Sequence, residues 1–161
     1  MTPITLQALR RLLFFTVQDA AYLIAATNRS RKTGWEQQWE QWENGEIPIP
    51  ESVAEKVREL TEWRSTALAA TADNIRAQIR EKGGMPDSVF VIWYDSLEDW
   101  LSLPGRDPMM WRPQQAVCAS LMGLFSIVRL VRFDLPAYTA WREEREDSDT
   151  LRGEWASTIS G

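Results

Sequence analysis

Apolar residues in the first fifty positions recur every three or four residues, the spacing of one helix face. Leu6, Leu9 and Leu13 share such a face, and Thr16 is a good N-cap for the segment that follows it. Polar residues and turn formers occupy positions 26–34, which indicates a loop. The pattern therefore predicts three short helices, over residues 4–13, 17–25 and 35–43.

A long helix is predicted after a proline-rich elbow. The third helix is expected to stop at Asn44-Gly45, because glycine suits the left-handed position after a helix. Ile47-Pro48-Ile49-Pro50 cannot be helical inside and predicts an extended elbow. Beyond it, helical spacing continues from Pro50 or Glu51 to Lys82 and ends at Gly83-Gly84.

The second half of the chain has a different character. Residues 89–94 are β-branched or aromatic and predict a strand, and Ser96 is expected to cap a helix over 97–103. A mostly apolar helix is predicted after Pro113, over residues 114–128. The charged residues 142–161 predict a partly disordered end.

These elements predict a mainly α fold with a small C-terminal α+β part. Two short helices, a polar connection and a third helix ending at glycine make a helix-turn-helix candidate. The predicted organisation is a helix-turn-helix head, a connecting helix with a dimerisation region, and a charged tail. Their expected boundaries are 1–64, 65–136 and 137–161.

The third helix has two chemically different faces. At 100° per residue, Trp35, Trp39 and Trp42 fall within about 60° of one another and are expected to face the core. The opposite face carries amides, which suit the adenine edge in the major groove. Its candidates for DNA contact are Thr33 (if the helix starts early), Gln37, Gln41 and Asn44, with Gln38 and Glu40 at the flanks.

Three basic residues precede this helix. Arg29, Arg31 and Lys32 lie in the loop, where they are candidates for phosphate contact. The alternative is that the glutamines are ordinary solvated surface and the basic residues an ordinary charged loop. A helix-turn-helix pattern on its own is therefore a hypothesis.

Composition narrows the possible chemistry. The 161 residues include nine Trp and no His, and the formal net charge is −5. Without His, the Ser-His and Cys-His nucleophilic systems and His-ligated zinc are excluded. Residues 87–161 hold seven basic and twelve acidic groups, so the acidity lies there and the first half is neutral. A basic patch in a neutral head remains compatible with DNA.

No catalytic or cofactor motif is present in the sequence. The nucleotide-binding patterns G-x-x-x-x-G-K-[ST] and G-x-G-x-x-G do not occur in the sequence. Asp95, Glu98 and Asp99 are better explained as helix-capping groups than as catalytic carboxylates. Cys118 lies in an apolar helix and is expected to be a buried small hydrophobe. The longest apolar run, 116–128, is too short to cross a bilayer. We expect a cytoplasmic protein that is not an enzyme and has no cofactor, metal or small-molecule ligand.

Several segments resemble a known family. The run Trp39-Glu40-Gln41-Trp42-Glu43-Asn44-Gly45, followed by Ile49-Pro50, resembles the W-x-x-W-E-x-G…P ending of the recognition helix in the lambda-repressor-like (Cro/repressor, XRE) superfamily. The start Leu6-Gln7-Ala8-Leu9-Arg10 resembles that of its YdiL-like branch, which includes anti-CRISPR-associated repressors. Trp111-Arg112-Pro113-Gln114-Gln115-Ala116-Val117 resembles the W-[RK]-x-x-Q-S-V segment of that branch. Together with the strand ending in Trp93-Tyr94 and the helix after it, the resemblance covers residues 4–128.

The resemblance implies a sequence-specific DNA-binding transcriptional regulator that acts as a homodimer. We therefore expect an autoregulating repressor that binds an inverted repeat of double-stranded DNA, because a two-fold symmetric protein reads a two-fold symmetric site. By position, the resemblance implies that Gln37, Gln38 and Gln41 face the bases. The Gln that often opens the second helix of the family is Val17 here, so Gln18 is the next candidate for phosphate contact. The loop before the third helix is several residues longer than usual, and the tail beyond Asp134 has no recognised counterpart.

The apolar second half is the basis for expecting a dimer. It has more large apolar surface than a small subdomain easily hides, at Trp93, Trp100, Trp111, Val117 and Leu121. The alternatives are a Trp-rich helical adaptor that binds another protein without DNA, and RNA binding by the same head.

Overall fold

A computed structural model of the protein describes residues 1–25, 34–81, 83–84 and 86–159. The chain is mainly helical with a small α+β part in its second half, as predicted, and this part contains a two-stranded parallel sheet. Its helices are α1 (Pro3–Leu12), α2 (Val17–Leu23), α3 (Trp35–Asn44), α4 (Glu51–Glu81), α5 (Leu97–Leu101), α6 (Trp111–Leu124), α7 (Leu135–Arg142) and α8 (Asp149–Thr158). The strands are β1 (Val89–Trp93) and β2 (Val128–Arg132), and a short 3-10 helix (Pro108–Met110) precedes α6.

The chain forms two compact units. The first comprises Met1–Thr66 with Arg112–Ala116, and the second comprises Ala67–Trp111 with Val117–Gly161. The long helix α4 passes from one unit into the other. In the described part of the chain, no helix is both long and apolar enough to cross a membrane.

The first unit is built on α1, α2 and α3. Its helices begin where the local chemistry allows: Thr2 caps α1, and Thr16 caps α2 in a reciprocal capping box with Asp19. The core of this unit consists of apolar side chains from the three helices, from the residues just after α1 and α2, and from the start of α4. These are Leu6, Leu13, Phe15, Ala20, Ala21, Ile24, Trp39, Trp42, Val53, Val57 and Leu60.

The second unit contains the parallel sheet. β1 pairs with β2 in the register from Val89↔Val128 to Trp93↔Arg132. The helix α8 packs on β1, and α7 packs on α8. An aromatic cluster fills the core, consisting of Tyr94, Trp100, Trp111, Phe133, Tyr138 and Trp155.

One predicted helix is shorter at its C-terminal end than expected, and a strand takes its place. The helix predicted over 114–128 is observed over Trp111–Leu124, because the backbone becomes extended at Phe125. Val128 then begins β2, and the backbone N–H of Val89 donates to the carbonyl of Ile127, just before the strand, at 2.9 Å. Strand β2 was not predicted, because a helical run of apolar residues precedes it and its pairing partner lies about forty residues away in the chain.

The prediction of partial disorder over residues 142–161 is wrong for the part that the structure describes, which ends at Ile159. Residues 149–158 form α8, which Ser148 caps by accepting a hydrogen bond from the Leu151 N–H at 3.1 Å. Trp155 is only 1% exposed, and Ala156 beside it is fully buried. The high charge of this segment masked a helix face whose apolar residues complete the core.

A buried arginine is the least expected member of this helix. Arg152 is 0% exposed, and its guanidinium lies over the rings of Phe133 and Tyr138, 4.6 and 5.3 Å from their centroids. Asp147 accepts from its Nε and Nη2 at 2.9 and 2.7 Å and from the Tyr138 hydroxyl at 2.6 Å. Hydrogen bonds from Arg152 lower the pKa of Asp147, whereas burial raises the pKa of Tyr138 to about 12. Asp147 compensates the buried charge of Arg152, while Arg152 Nη1 is buried without a hydrogen-bond partner among the described residues.

We expect Trp155→Ala to lower the free energy of unfolding by about 3–5 kcal/mol, because the deletion leaves a large cavity in a packed core. Chemical denaturation monitored by circular dichroism measures this loss. The matched control is Glu154→Ala at the exposed neighbouring position, for which a change within about 0.5 kcal/mol is expected. Similar small effects of both variants would contradict the packing of α8.

Candidate nucleic-acid interface

A buried ion pair joins α1 to the end of α3. Arg10 Nε and Nη2 donate to the two carboxylate oxygens of Glu43 at 2.6 and 2.9 Å. The two side chains are only 10% and 5% exposed. This two-pronged geometry is the strongest form of an arginine–carboxylate contact and fixes the relative orientation of both groups.

Trp39 and Phe15 complete the network around this pair. The Trp39 indole Nε1 donates to Glu43 at 2.7 Å, and Arg10 Nη1 donates to the Phe15 carbonyl at 2.9 Å. The Trp39 ring meets Trp42 edge to face, with centroids 5.6 Å apart. Trp39, Trp42 and Glu43 are all held on the same side of α3. Their contacts therefore fix the orientation of the helix about its own axis.

The network changes the acidity of Glu43. Burial acts to raise the pKa of Glu43, but hydrogen bonds from Arg10 and Trp39 and the charge of Arg10 outweigh it. The net result is a pKa below its ordinary value of 4.5. Glu43 therefore remains ionised and accepts the hydrogen bonds that hold α3.

Glycine ends α3 where the sequence predicts it. Gly45 has φ of 76°, a left-handed conformation that other residues rarely adopt, and its N–H bonds to the carbonyl of Trp42 at 3.2 Å. A side chain at this position would also meet the Pro3 ring at 3.4 Å. The turn after α3 and the start of α1 thus pack closely against each other.

The side of α3 opposite the tryptophans is polar and open to solvent. On this side Gln37, Glu40 and Asn44 are exposed and Gln41 is half-buried. Glu36, which is exposed, and Gln38, which is half-buried, lie nearer the tryptophans at the two edges of this side. Trp39 and Trp42 are buried as predicted, and Trp35 is half-buried. The Asn44 side-chain amide donates to Glu46 at 3.3 Å, so part of its capacity is used within the turn.

The predicted DNA contacts fall into three groups. Gln37, Gln38, Gln41 and Asn44 lie on α3, and the structure brings the more exposed of them to one face. Gln18 is exposed near the start of α2. Arg29, Arg31, Lys32 and Thr33 lie outside the described residues. Contact of these residues with DNA stays a prediction.

The first turn of α2 has an ion pair that was not predicted from the sequence. Asp19 is half-buried, accepts from the Thr16 N–H at 3.2 Å and also accepts from Arg112 Nε at 2.8 Å. Arg112 donates in addition to Gln115 Oε1 at 3.0 Å. Because the partners are 93 residues apart, nothing in the local pattern signals the pairing.

The network of Arg10 and Glu43 was also missed, although a signal for Glu43 exists. At 100° per residue, Glu43 falls beside Trp39 on the buried side of α3, where an unpaired carboxylate is unfavourable. A carboxylate on the buried side of a helix indicates that a cationic side chain from another helix or strand pairs with it. Within the described residues, no cluster of side chains has the composition of a metal site.

The residues predicted for a dimer contact are buried or half-buried within a single chain. Trp100, Trp111, Val117 and Leu121 are buried, and Trp93 is half-buried with its indole donating to Asp95 at 2.7 Å. The Trp111 indole donates to the Tyr94 carbonyl at 2.9 Å. The expectation of excess apolar surface at these positions therefore does not hold, and their role between subunits stays a prediction.

The fold and this site define a mainly α protein whose first unit presents a fixed, amide-bearing helix face. The chain belongs to the Aca2/YdiL-like family, whose profile matches residues 1–126. Over 79 residues it is 34% identical to the uncharacterized protein YdiL of Escherichia coli (strain K12). The aligned region covers 49% of this chain and 62% of YdiL. Over 124 residues it is 27% identical to the Aca2 repressor of Pectobacterium phage ZF40, covering 74% of this chain and 90% of the repressor.

We expect Glu43→Gln to destabilise the protein by about 3–5 kcal/mol, because it leaves the Arg10 guanidinium buried without its counter-charge. Denaturant unfolding measures the loss. The control is Glu59→Gln, which removes the same charge from an exposed pair with Lys56 and is expected to change stability by at most about 1 kcal/mol. Equal effects of the two substitutions would show that the buried pair does not stabilise the unit.

The same variant tests the pH dependence. Because folding lowers the pKa of Glu43 below 4.5, its contribution to stability is complete above that value and is lost as the pH falls toward the folded pKa. Asp147, with a pKa lowered from 3.8, adds a loss at lower pH. Stability should decline with acid in the wild type, and the decline from about pH 5 downward should be shallower in Glu43→Gln.

Proposed function

We propose that this chain is a sequence-specific DNA-binding transcriptional regulator in which α2 and α3 form a helix-turn-helix and α3 is the recognition helix. The observation that carries the proposal is the fixed rotation of α3. Its tryptophan side is held by the Arg10–Glu43 network, and its opposite side exposes Gln37 and Asn44. A recognition helix needs both properties, because base contacts require side chains held in register with the groove.

The chemistry of the exposed face suits base edges. Gln and Asn side chains each carry a donor and an acceptor, and they pair with N6 and N7 of adenine in the major groove. In this proposal Gln37 and Gln41 read bases, with Gln38 and Asn44 beside them. Gln18, Arg29, Arg31 and Lys32 contact the phosphate backbone, which gives affinity without sequence choice. Thr33, which precedes α3, is a further candidate for DNA contact.

The family relationship supports regulation rather than catalysis. One relative is named a repressor, and the family profile covers both units of this chain up to residue 126. We propose that the chain represses transcription, including that of its own operon, and that it acts in the cytoplasm. An inverted repeat upstream of its coding region is the expected operator.

A homodimer follows from the proposed operator. Two-fold symmetric DNA is read by a two-fold symmetric protein, with half-sites about one helical turn apart. The second unit exposes Met122, Leu124 and Leu130, which are apolar residues outside the predicted set. They are an alternative source of the apolar contact that pairs two subunits.

We expect Gln37→Ala to weaken binding to the best duplex selected from a random pool by about 1–3 kcal/mol and to relax sequence choice. Arg31→Ala should weaken binding evenly across sequences and reduce the salt dependence, because a phosphate contact releases counterions. Mobility-shift titrations at two salt concentrations measure both effects.

Gln78→Ala, the same change at an exposed position late in α4, is the matched control and should leave binding unaltered. The assignment of the head is wrong if Gln37→Ala and Arg31→Ala bind the selected duplex as tightly as this control.

Sedimentation velocity tests the homodimer. At micromolar concentration the full chain is expected to sediment as a dimer, because a stable pair of subunits is needed to hold two half-sites at fixed spacing. A monomer under these conditions, with and without the selected duplex, would remove the dimer and the inverted repeat from the proposal.

A further inference from the structure

We propose that Glu40 is a base-reading residue of α3 and that it selects a cytosine next to the base read by Gln37. The inference rests on the proposed function and adds to it one specificity-determining residue and the base that it takes. The amides were the expected readers of this face, whereas Glu40 was expected only at its flank.

The position of Glu40 on the helix is the first argument. Gln37, Glu40 and Asn44 are exposed and lie within about 60° of one another at 100° per residue. Glu40 lies between the other two along the helix axis, about 4.5 Å beyond Gln37 at 1.5 Å per residue. When Gln37 and Asn44 face a groove, Glu40 faces it as well.

The environment of Glu40 is the second argument. Across the residues that the structure describes, the Glu40 carboxylate takes part in no hydrogen bond or ion pair, and its side chain is exposed. Glu43, one turn along the same helix, accepts from Arg10 and Trp39 and is buried. Of the two carboxylates, Glu40 keeps its acceptors for a ligand.

The chemistry of a carboxylate determines which base it accepts. An ionised carboxylate only accepts hydrogen bonds, so its partner must be a donor. In the major groove the donors are the amino groups of cytosine and adenine, but adenine also presents its N7 acceptor next to its amino group. Cytosine presents a donor without an acceptor of its own, and it is the base to which Glu pairs.

The negative charge adds selectivity rather than affinity. Near the phosphates a carboxylate is repelled on every sequence, and it is compensated only where a cytosine amino group meets it. A group that opposes binding to wrong sites and is satisfied at the correct one increases discrimination. Glu40 therefore lowers the affinity for random DNA while it sharpens the choice of site.

The test compares the full-length wild type with Glu40→Gln, first by selection from random duplexes and then by titration of single duplexes. The wild type is expected to select a C·G pair adjacent to the position that Gln37→Ala relaxes, with about five- to tenfold preference over the other pairs. Glu40→Gln should lose this preference or move it to adenine, while the preference set by Gln37 remains. Its affinity for a random duplex should rise about two- to fivefold at low salt, with a smaller gain at high salt.

Glu36→Gln is the matched control, because it removes the same charge from an exposed position one turn earlier on α3. It should leave the C·G preference unchanged. Unfolding midpoints equal to that of the wild type will confirm that both variants fold.

The outcomes separate this inference from the proposed function. If the wild type selects no sequence, both fail. If it selects a sequence that Gln37→Ala relaxes, but Glu40→Gln keeps the wild-type preference at every position, only the role of Glu40 is overturned. A gain in random affinity that is equal for Glu40→Gln and Glu36→Gln, without a changed base, also overturns it.

Discussion

The contact between Arg10 and Glu43 is the constraint on which the first unit depends. It connects the first helix to the third. Glu43 also accepts a hydrogen bond from the Trp39 indole, and Arg10 donates a further one to the Phe15 carbonyl. Removing two charges from water is costly, and the cost is offset only when the geometry is good and the remaining polar groups are satisfied. Here they are, so a charged pair is compatible with a core of tryptophan and leucine.

The value of such a pair lies in orientation as much as in stability. Apolar residues alone allow a short helix to rotate slightly and repack, because burial is not directional. Two parallel hydrogen bonds to one carboxylate fix both an angle and a distance. Because the buried side of α3 is fixed in this way, the direction in which its exposed side faces is fixed as well. Glu40 and Glu43 lie three residues apart on that helix, and only one of them is inside the network.

The elements that depend on local chemistry could be predicted from the sequence. The Thr16 N-cap, the left-handed Gly45 and the start of α3 at Trp35 are each encoded by a few neighbouring residues. The amide face of α3 was predictable for the same reason, since helical angles follow from spacing. The pairings of Arg10 with Glu43 and of Asp19 with Arg112 were not, because each joins residues that are distant in the chain and no local pattern identifies the partner. The basic cluster of the loop, at Arg29, Arg31 and Lys32, lies outside the described residues.

In the second unit, too, long-range pairings could not be predicted from the sequence. The charged composition of its C-terminal segment also led to a wrong prediction of partial disorder. Parallel strands need a long connection, and β2 pairs with β1 across α5 and α6. The family profile ends at residue 126, so β1 lies inside the matched region and β2, α7 and α8 lie beyond it. The core of the unit is nevertheless continuous across that boundary, because Tyr94 before it packs against Phe133 after it, with ring centroids 4.9 Å apart. A segment that is charged on average therefore supplies buried aromatic residues to a shared core, and Asp147 neutralises the one arginine that enters with them.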